Sequence, residues 1–98
     1  MTHPSSELNK AFESRVRLGI MSMLLVNDWV DFTAFKETLQ QTDGNLASHL
    51  NTLENLGYIQ MKKGFIGRKP NTSYAATRLG EKAFRDHLDQ LEQLIKMT

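Results

Sequence analysis

The side chains best suited to chemistry fall in two short stretches of the sequence. Thr42, Asp43, Gly44, Asn45, Ser48, His49 and Thr52 bring small hydrogen-bonding groups together within eleven residues. Asparagine can make paired bonds to the edge of adenine, and serine or threonine can bond several bases or a phosphate. Lys62, Lys63, Arg68 and Lys69 follow soon after, and cations at that density can neutralise phosphates. Catalytic chemistry is poorly provided for. There is no glycine-lysine phosphate loop, and no nucleophile sits beside a base in a recognisable setting. The chain has no cysteine, and His3, His49 and His87 are far apart with no clustered carboxylate beside them. Neither an enzyme nor a metal or cofactor site is therefore expected.

The charge is as uneven as the polar groups. The net charge is +1, yet residues 57–85 hold seven basic side chains against Glu81 alone, and the flanking segments are acidic. A basic block in a near-neutral chain is the footprint of polyanion binding, although a solvated surface stretch would look the same. At 98 residues and 40% hydrophobic, one domain over residues 1–98 is expected. No apolar run reaches the roughly 20 residues that span a bilayer, and residues 1–6 lack a basic-then-apolar leader pattern. The expected place is the cytoplasm, with no membrane as partner.

The elements that must position these groups follow from periodicity. Leu8, Phe12, Val16, Ile20, Met23 and Leu24 recur at helical spacing, which predicts one first helix. Asn27-Asp28 ends it, and Trp29-Val30 offers a short β stretch. A second helix follows, with Asp31 or Thr33 as its cap and Phe32, Phe35 and Leu39 facing inward. Thr42 can cap a third helix with Leu46, Leu50, Leu53 and Leu56 on one face, and Gly57 suits its C-terminal end. The period then changes. Residues 58–63 and 73–77 predict antiparallel strands around a turn-rich loop at 64–71. Thr77 can cap a last helix over about residues 78–96, striped by Leu79, Ala83, Phe84, Leu88, Leu91, Leu94 and Ile95.

The result is a mainly α chain with a small β-hairpin, and its parts are those of a winged helix-turn-helix. The third helix would bury its leucines and turn its short polar groups outward. The hairpin would carry Arg68 and Lys69 at its tip, with Lys62 and Lys63 at its base extending the same positive surface. Phe12, Trp29, Phe32 and Phe35 are expected in the core. Tyr58 and Tyr74 should bridge the hairpin to the helices with wet hydroxyls, while Phe65 and Ile66 pack under the wing or on a partner. His87 is expected to be solvated or at the rim of a dimer. The last helix is too long for its own domain to cover, so Phe84, Leu88, Leu91, Leu94 and Ile95 should meet the same helix of a second chain.

Residues 42–59, TDGNLASHLNTLENLGYI, closely resemble the recognition-helix segment of small MarR/ArsR-like winged-helix regulators. Residues 67–74, GRKPNTSY, followed by Thr77-Arg78-Leu79-Gly80, resemble their wing and the start of their last helix. The likeness runs from about Glu13 to Leu94. It implies a dimeric transcriptional regulator, joined through its terminal helices and bound to duplex DNA at a palindromic operator. Thr42, Asp43, Gly44, Asn45, Ser48 and His49 would then lie at the major groove and Arg68 and Lys69 on the wing. A small-molecule effector at the dimer interface is compatible with it. One departure matters: the third helix has no arginine or lysine, so the bidentate guanine contact is unavailable from it. More of the recognition would fall to the wing and to DNA shape. The other reading is a winged helix that binds proteins instead of DNA, which would not need exposed cations on the wing.

Overall fold

The computed structural model describes residues 8–97, so the expectations for residues 1–6 and for His3 lie outside the described residues. Its elements are α1 (Arg15–Leu25), β1 (Val30–Asp31), α2 (Phe32–Leu39), α3 (Asp43–Asn55), β2 (Ile59–Ile66), β3 (Lys69–Ala76) and α4 (Arg78–Lys96). This is the expected order, with one correction at the start. The first apolar stripe is split between a 3-10 turn at Lys10–Phe12 and α1. Two polar side chains impose the split. The Asn9 side-chain oxygen accepts the Ala11 N–H at 2.9 Å, and Ser14 Oγ accepts the Arg17 N–H at 3.3 Å, so a new helix starts at Ser14.

The other caps sit where the sequence places them. Asp31 Oδ1 accepts the Ala34 N–H at 2.8 Å, which makes Asp31 and not Thr33 the cap of α2. Thr42 Oγ1 accepts from the Asn45 N–H at 3.2 Å and starts α3. Gly57, at φ 79°, ends α3 in the left-handed conformation that suits glycine. Its N–H reaches Glu54 O and the Tyr58 N–H reaches Leu53 O, so the last carbonyls of α3 are satisfied as the chain turns into β2.

The sheet order is β1-β3-β2, antiparallel throughout, with Val30 opposite Tyr74 and Asp31 opposite Ser73. The hairpin is longer than the sequence suggests. The expected loop at 64–71 is mostly strand, closed by a two-residue Gly67-Arg68 turn between Ile66 and Lys69. Gly67, at φ 64°, supplies the positive φ that such a tight turn needs at its first position. Counting outward from the bonded Ile66–Lys69 pair, Phe65–Pro70 is a non-bonded pair. The missing N–H of Pro70 therefore costs no ladder bond, because β1 does not extend beside it.

Phe12, Ile20, Met21, Phe35, Leu46, Leu50 and Leu53 fill the centre of the core, so α1, α2 and α3 pack on one cluster that continues to Ile59, Tyr74 and Phe84. Two expectations for aromatic residues change. Trp29 is 41% exposed and lies under the Lys62 ammonium, 4.3 Å from the ring centroid, a cation–π contact in place of core burial. Tyr74 is buried beside Phe35, while Tyr58 stacks on Phe12 and its hydroxyl accepts from Asn9 Nδ2 at 2.9 Å. Phe84 also departs from its expected place. It is 2% exposed and packs edge-on against Phe12, so its own chain covers it and it is not available to a seam between chains. Along the rest of the α4 stripe, Leu91 and Leu94 are half-buried and Leu88 and Ile95 are exposed. No helix among the described residues is long and apolar enough to cross a membrane.

His87, expected in solvent or at a rim, is buried. Its Nδ1 accepts the Asn9 N–H at 3.1 Å and its ring meets the edge of Phe12. Burial holds its pKa below the ordinary histidine value of 6.5, against the opposing pull of Glu13. The unfolded chain therefore binds a proton more readily than the folded one. Stability from this residue is fully present above that ordinary value and is lost as pH falls through the folded pKa. Urea midpoints should fall between neutral pH and mildly acid pH, and His87→Gln should flatten that fall. An equally steep fall in the variant would assign the acid sensitivity to other groups.

Candidate nucleic-acid interface

The third helix is held by its apolar face and free on its polar one. Leu46, Leu50 and Leu53 are buried, whereas Thr42, Asp43, Gly44, Asn45 and Ser48 are exposed, as the leucine spacing predicts; Leu56, expected on the same inward face, is exposed because α3 ends at Asn55 and Leu56 caps it. Nothing lies within 4 Å of a side chain built at Gly44, so the first turn of α3 is open to close approach. Asp43 meets Lys36 of α2 at 2.7 Å, an exposed pair that contributes little to stability. It does carry a cation to the edge of the same face. The Asn45 amide donates to Gln41 Oε1, so Gln41 fixes the direction of the asparagine. Thr52, by contrast, is half-buried and donates to Ser48 O at 3.1 Å, so its hydroxyl proton is used within its own helix.

His49 is half-buried at the border of the two faces. Its Nδ1 lies 2.9 Å from Nη1 of Arg17, and Arg17 Nε donates to Ala11 O at 2.6 Å. Burial, and then the Arg17 charge, hold the imidazole below its usual pKa. Arg17, Gln41 and Lys36 are thus neighbours of the polar face that the sequence did not single out. Gln41 and Lys36 could have been sought within a few residues of the helix start. Arg17 lies 32 residues from His49, and no spacing rule connects them.

The wing carries its four cations in the open, but not as one surface. Arg68 is in the turn and Lys69 begins β3. Lys62 and Lys63 are consecutive in β2, so the pleat sends them to opposite faces. Lys62 takes the Trp29 side, and a single surface through both lysines is excluded. Phe65 and Ile66, at 74% and 64% exposed, do not pack under the wing and flank the cationic tip. Among the described residues no three metal-type ligands cluster.

The helix-turn-helix of α2 and α3 followed by a projecting hairpin is also what known proteins show. The winged helix DNA-binding domain family model matches residues 16–95. An uncharacterized protein of Methanocaldococcus jannaschii is 37% identical over 87 residues, covering 89% of this chain and 95% of its own. The solved structure of a transcriptional regulator homologue from Pyrococcus horikoshii OT3 superposes with a TM-score of 0.77 at 31% identity. It covers 93% of this chain and 95% of its own. NadR, solved in complex with 4-hydroxyphenylacetate, shares the fold at a TM-score of 0.73 and 21% identity over 99% of this chain and 68% of that one. The winged-helix likeness read from residues 42–59 and from the wing is met in both family and fold. With the match running from α1 through nearly all of α4, the chain belongs to the winged helix DNA-binding domain family.

Proposed function

We propose that this chain binds duplex DNA sequence-specifically as a homodimer and regulates transcription, acting in the cytoplasm. One observation carries the reading: the open polar face of α3 is followed directly in the chain by a hairpin whose turn holds an exposed Arg68. A helix of that kind fits a major groove, and a cationic hairpin can follow the adjacent backbone or enter a narrow minor groove. The exposed cations of the wing favour DNA over a protein-binding module, which has no need of them.

The dimer is argued from α4. Nineteen residues make a helix about 28 Å long. Its first half is anchored by Gly80, Phe84 and His87, all buried. Beyond them, Leu88 and Ile95 are exposed and Leu91 and Leu94 are only half-buried, which suits an isologous contact with the same segment of a second chain. Two-fold symmetry would place two α3 helices at half-sites of a palindromic operator. We extend the proposal to a small-molecule effector between the chains, the class of ligand that NadR carries as 4-hydroxyphenylacetate.

Asn45→Ala tests the reading. Asn45 is exposed and its amide bonds only to Gln41 among the described residues, so its loss should change stability by less than about 0.5 kcal/mol. A paired contact to a base is worth about 1–3 kcal/mol of discrimination. The variant should therefore melt like the parent while its preference for a selected palindrome over a scrambled duplex shrinks by about fivefold or more. Titrations of both duplexes at fixed salt measure this. An unchanged preference would remove Asn45 from base readout.

A further inference from the structure

The third helix has no cation of its own, yet a guanidinium reaches it from α1. Local sequence explains how. Ser14 caps α1 and breaks the chain's path after Phe12, which places Arg17 in the first turn of α1, facing back to Ala11. Arg17 Nε donates to Ala11 O at 2.6 Å, and Nη1 lies 2.9 Å from Nδ1 of His49, so the guanidinium is braced between backbone and imidazole. Arginine has donors and no acceptor, and it keeps its proton in proteins. Nδ1 of His49 must therefore be the bare, accepting nitrogen, and the ring proton resides on Nε2.

We propose that Arg17 is a positioning residue of the DNA-reading face: it fixes His49 as the neutral Nε2–H tautomer, so that α3 offers a hydrogen-bond donor to an acceptor atom of duplex DNA. The inference rests on the DNA-binding reading above and adds to it a named donor and the residue that sets it. The acceptor is a base-edge oxygen or nitrogen, or a phosphate oxygen, and the two are told apart below.

The arrangement has an uncommon consequence for pH. A histidine that merely neutralises phosphate binds better when protonated. Here protonation removes the acceptor from Arg17 and sets two cations face to face, so the lock opens on acidification. Arg17 is the charge that acts on His49. Of the charged groups on the other elements packed on α3, Lys36 of α2 pairs with Asp43 and Lys62 of β2 lies over Trp29, while Arg15 of α1, Glu37 of α2 and Lys63 of β2 are exposed; on α3 itself Glu54 acts on Tyr74. Burial and Arg17 together keep the imidazole neutral near physiological pH.

Nitrogen-15 NMR of the full chain at neutral pH should find Nδ1 of His49 unprotonated and Nε2 protonated. Arg17→Met keeps an apolar stem of similar length and removes the donor. It should reduce binding to a selected duplex roughly three- to tenfold, the loss that one hydrogen bond accounts for. Arg17→Lys should recover part of that loss. If the acceptor is on a base, the preference over a scrambled duplex shrinks; if it is a phosphate, both duplexes weaken alike. Between about pH 7.5 and about pH 5.5 the wild type should lose binding to the selected duplex relative to His49→Gln, whose amide donor does not titrate. A protonated Nδ1 in the wild type overturns the proposal, as does a folded Arg17→Met protein that binds both duplexes like the parent. Should Arg17→Met fail to fold, the wild-type tautomer and the pH profiles of the wild type and His49→Gln decide the matter. Wild-type binding with an inert Arg17 defeats the lock alone, whereas a wild type that binds no duplex at any pH defeats the DNA reading with it.

Discussion

Gly80→Ala should destabilise the domain more than any other single methyl group added to it. A Cβ at Gly80 would lie 1.9 Å from Tyr58 O, and the obstacle is backbone that cannot rotate away. That backbone is fixed from several sides. The Thr77 N–H donates to Tyr58 O at 3.0 Å, and Thr77 Oγ1 donates to Gly57 O at 2.6 Å while accepting from the Gly80 N–H. The end of α3, the start of β2 and the start of α4 are therefore one knot. To admit the methyl group, α4 must lift away, and Phe84 and His87 would lose their packing on Phe12. Overpacking of this kind costs about 3 kcal/mol or more when backbone must move. For a domain of this size that lowers the melting temperature by at least about 12 °C. Gly44→Ala is the matching control: its Cβ meets nothing within 4 Å, and alanine in a helix is better than glycine by up to about 1 kcal/mol. Thermal melts followed by circular dichroism should move in opposite directions for the two variants. A Gly80→Ala protein that melts like the parent would mean that α4 does not approach Tyr58 so closely.

The second large effect is expected on DNA binding. Arg68→Ala combined with Lys69→Ala removes both cations from the wing tip, where each is exposed and remote from the core. Stability should change little. Affinity at low salt should fall roughly tenfold or more, because charge-assisted contacts to phosphate are among the stronger hydrogen bonds. Each lost phosphate contact should also lower the slope of log affinity against log salt by about one, and in a dimer each residue counts twice. If Arg68 enters a narrow minor groove, the loss should be largest on duplexes with A·T-rich flanks. Unchanged affinity at low salt would remove the wing from the mechanism.

Much of the fold was legible because its signals are local. The leucine spacing of α3 and the side-chain caps at Asp31, Thr42 and Thr77 each act within one turn of chain, and all are present. The sequence predicts too short a wing because Gly64, Gly67, Pro70 and Asn71 carry turn chemistry without alternation. Gly64, Pro70 and Asn71 nevertheless lie in strands, held by the ladder between β2 and β3, which only the tight Gly67-Arg68 turn brings into register. Periodicity predicts too long a first helix because Leu8, Phe12 and Val16 keep helical spacing across a break that Asn9 and Ser14 impose. The site divides in the same way. The outward face of α3 follows from the inward one, but Arg17 beside His49, His87 inside the core and Trp29 beneath Lys62 are products of tertiary packing. Phe84 shows the limit of a stripe: periodicity says that a residue faces something apolar, not which chain supplies it.

Selection from a random duplex library, followed by salt titration of the winner, asks directly whether this winged helix reads duplex DNA as a two-fold dimer. Enrichment of a two-fold-symmetric sequence is the expected result, with half-sites about one helical turn, roughly 34–36 Å, apart. Binding to it should weaken steeply with salt and remain on the order of a thousandfold or more tighter than binding to scrambled duplex. A library from which no sequence is enriched, with no salt-dependent binding to any duplex, would overturn DNA recognition and leave the wing and α3 as surfaces for a protein partner.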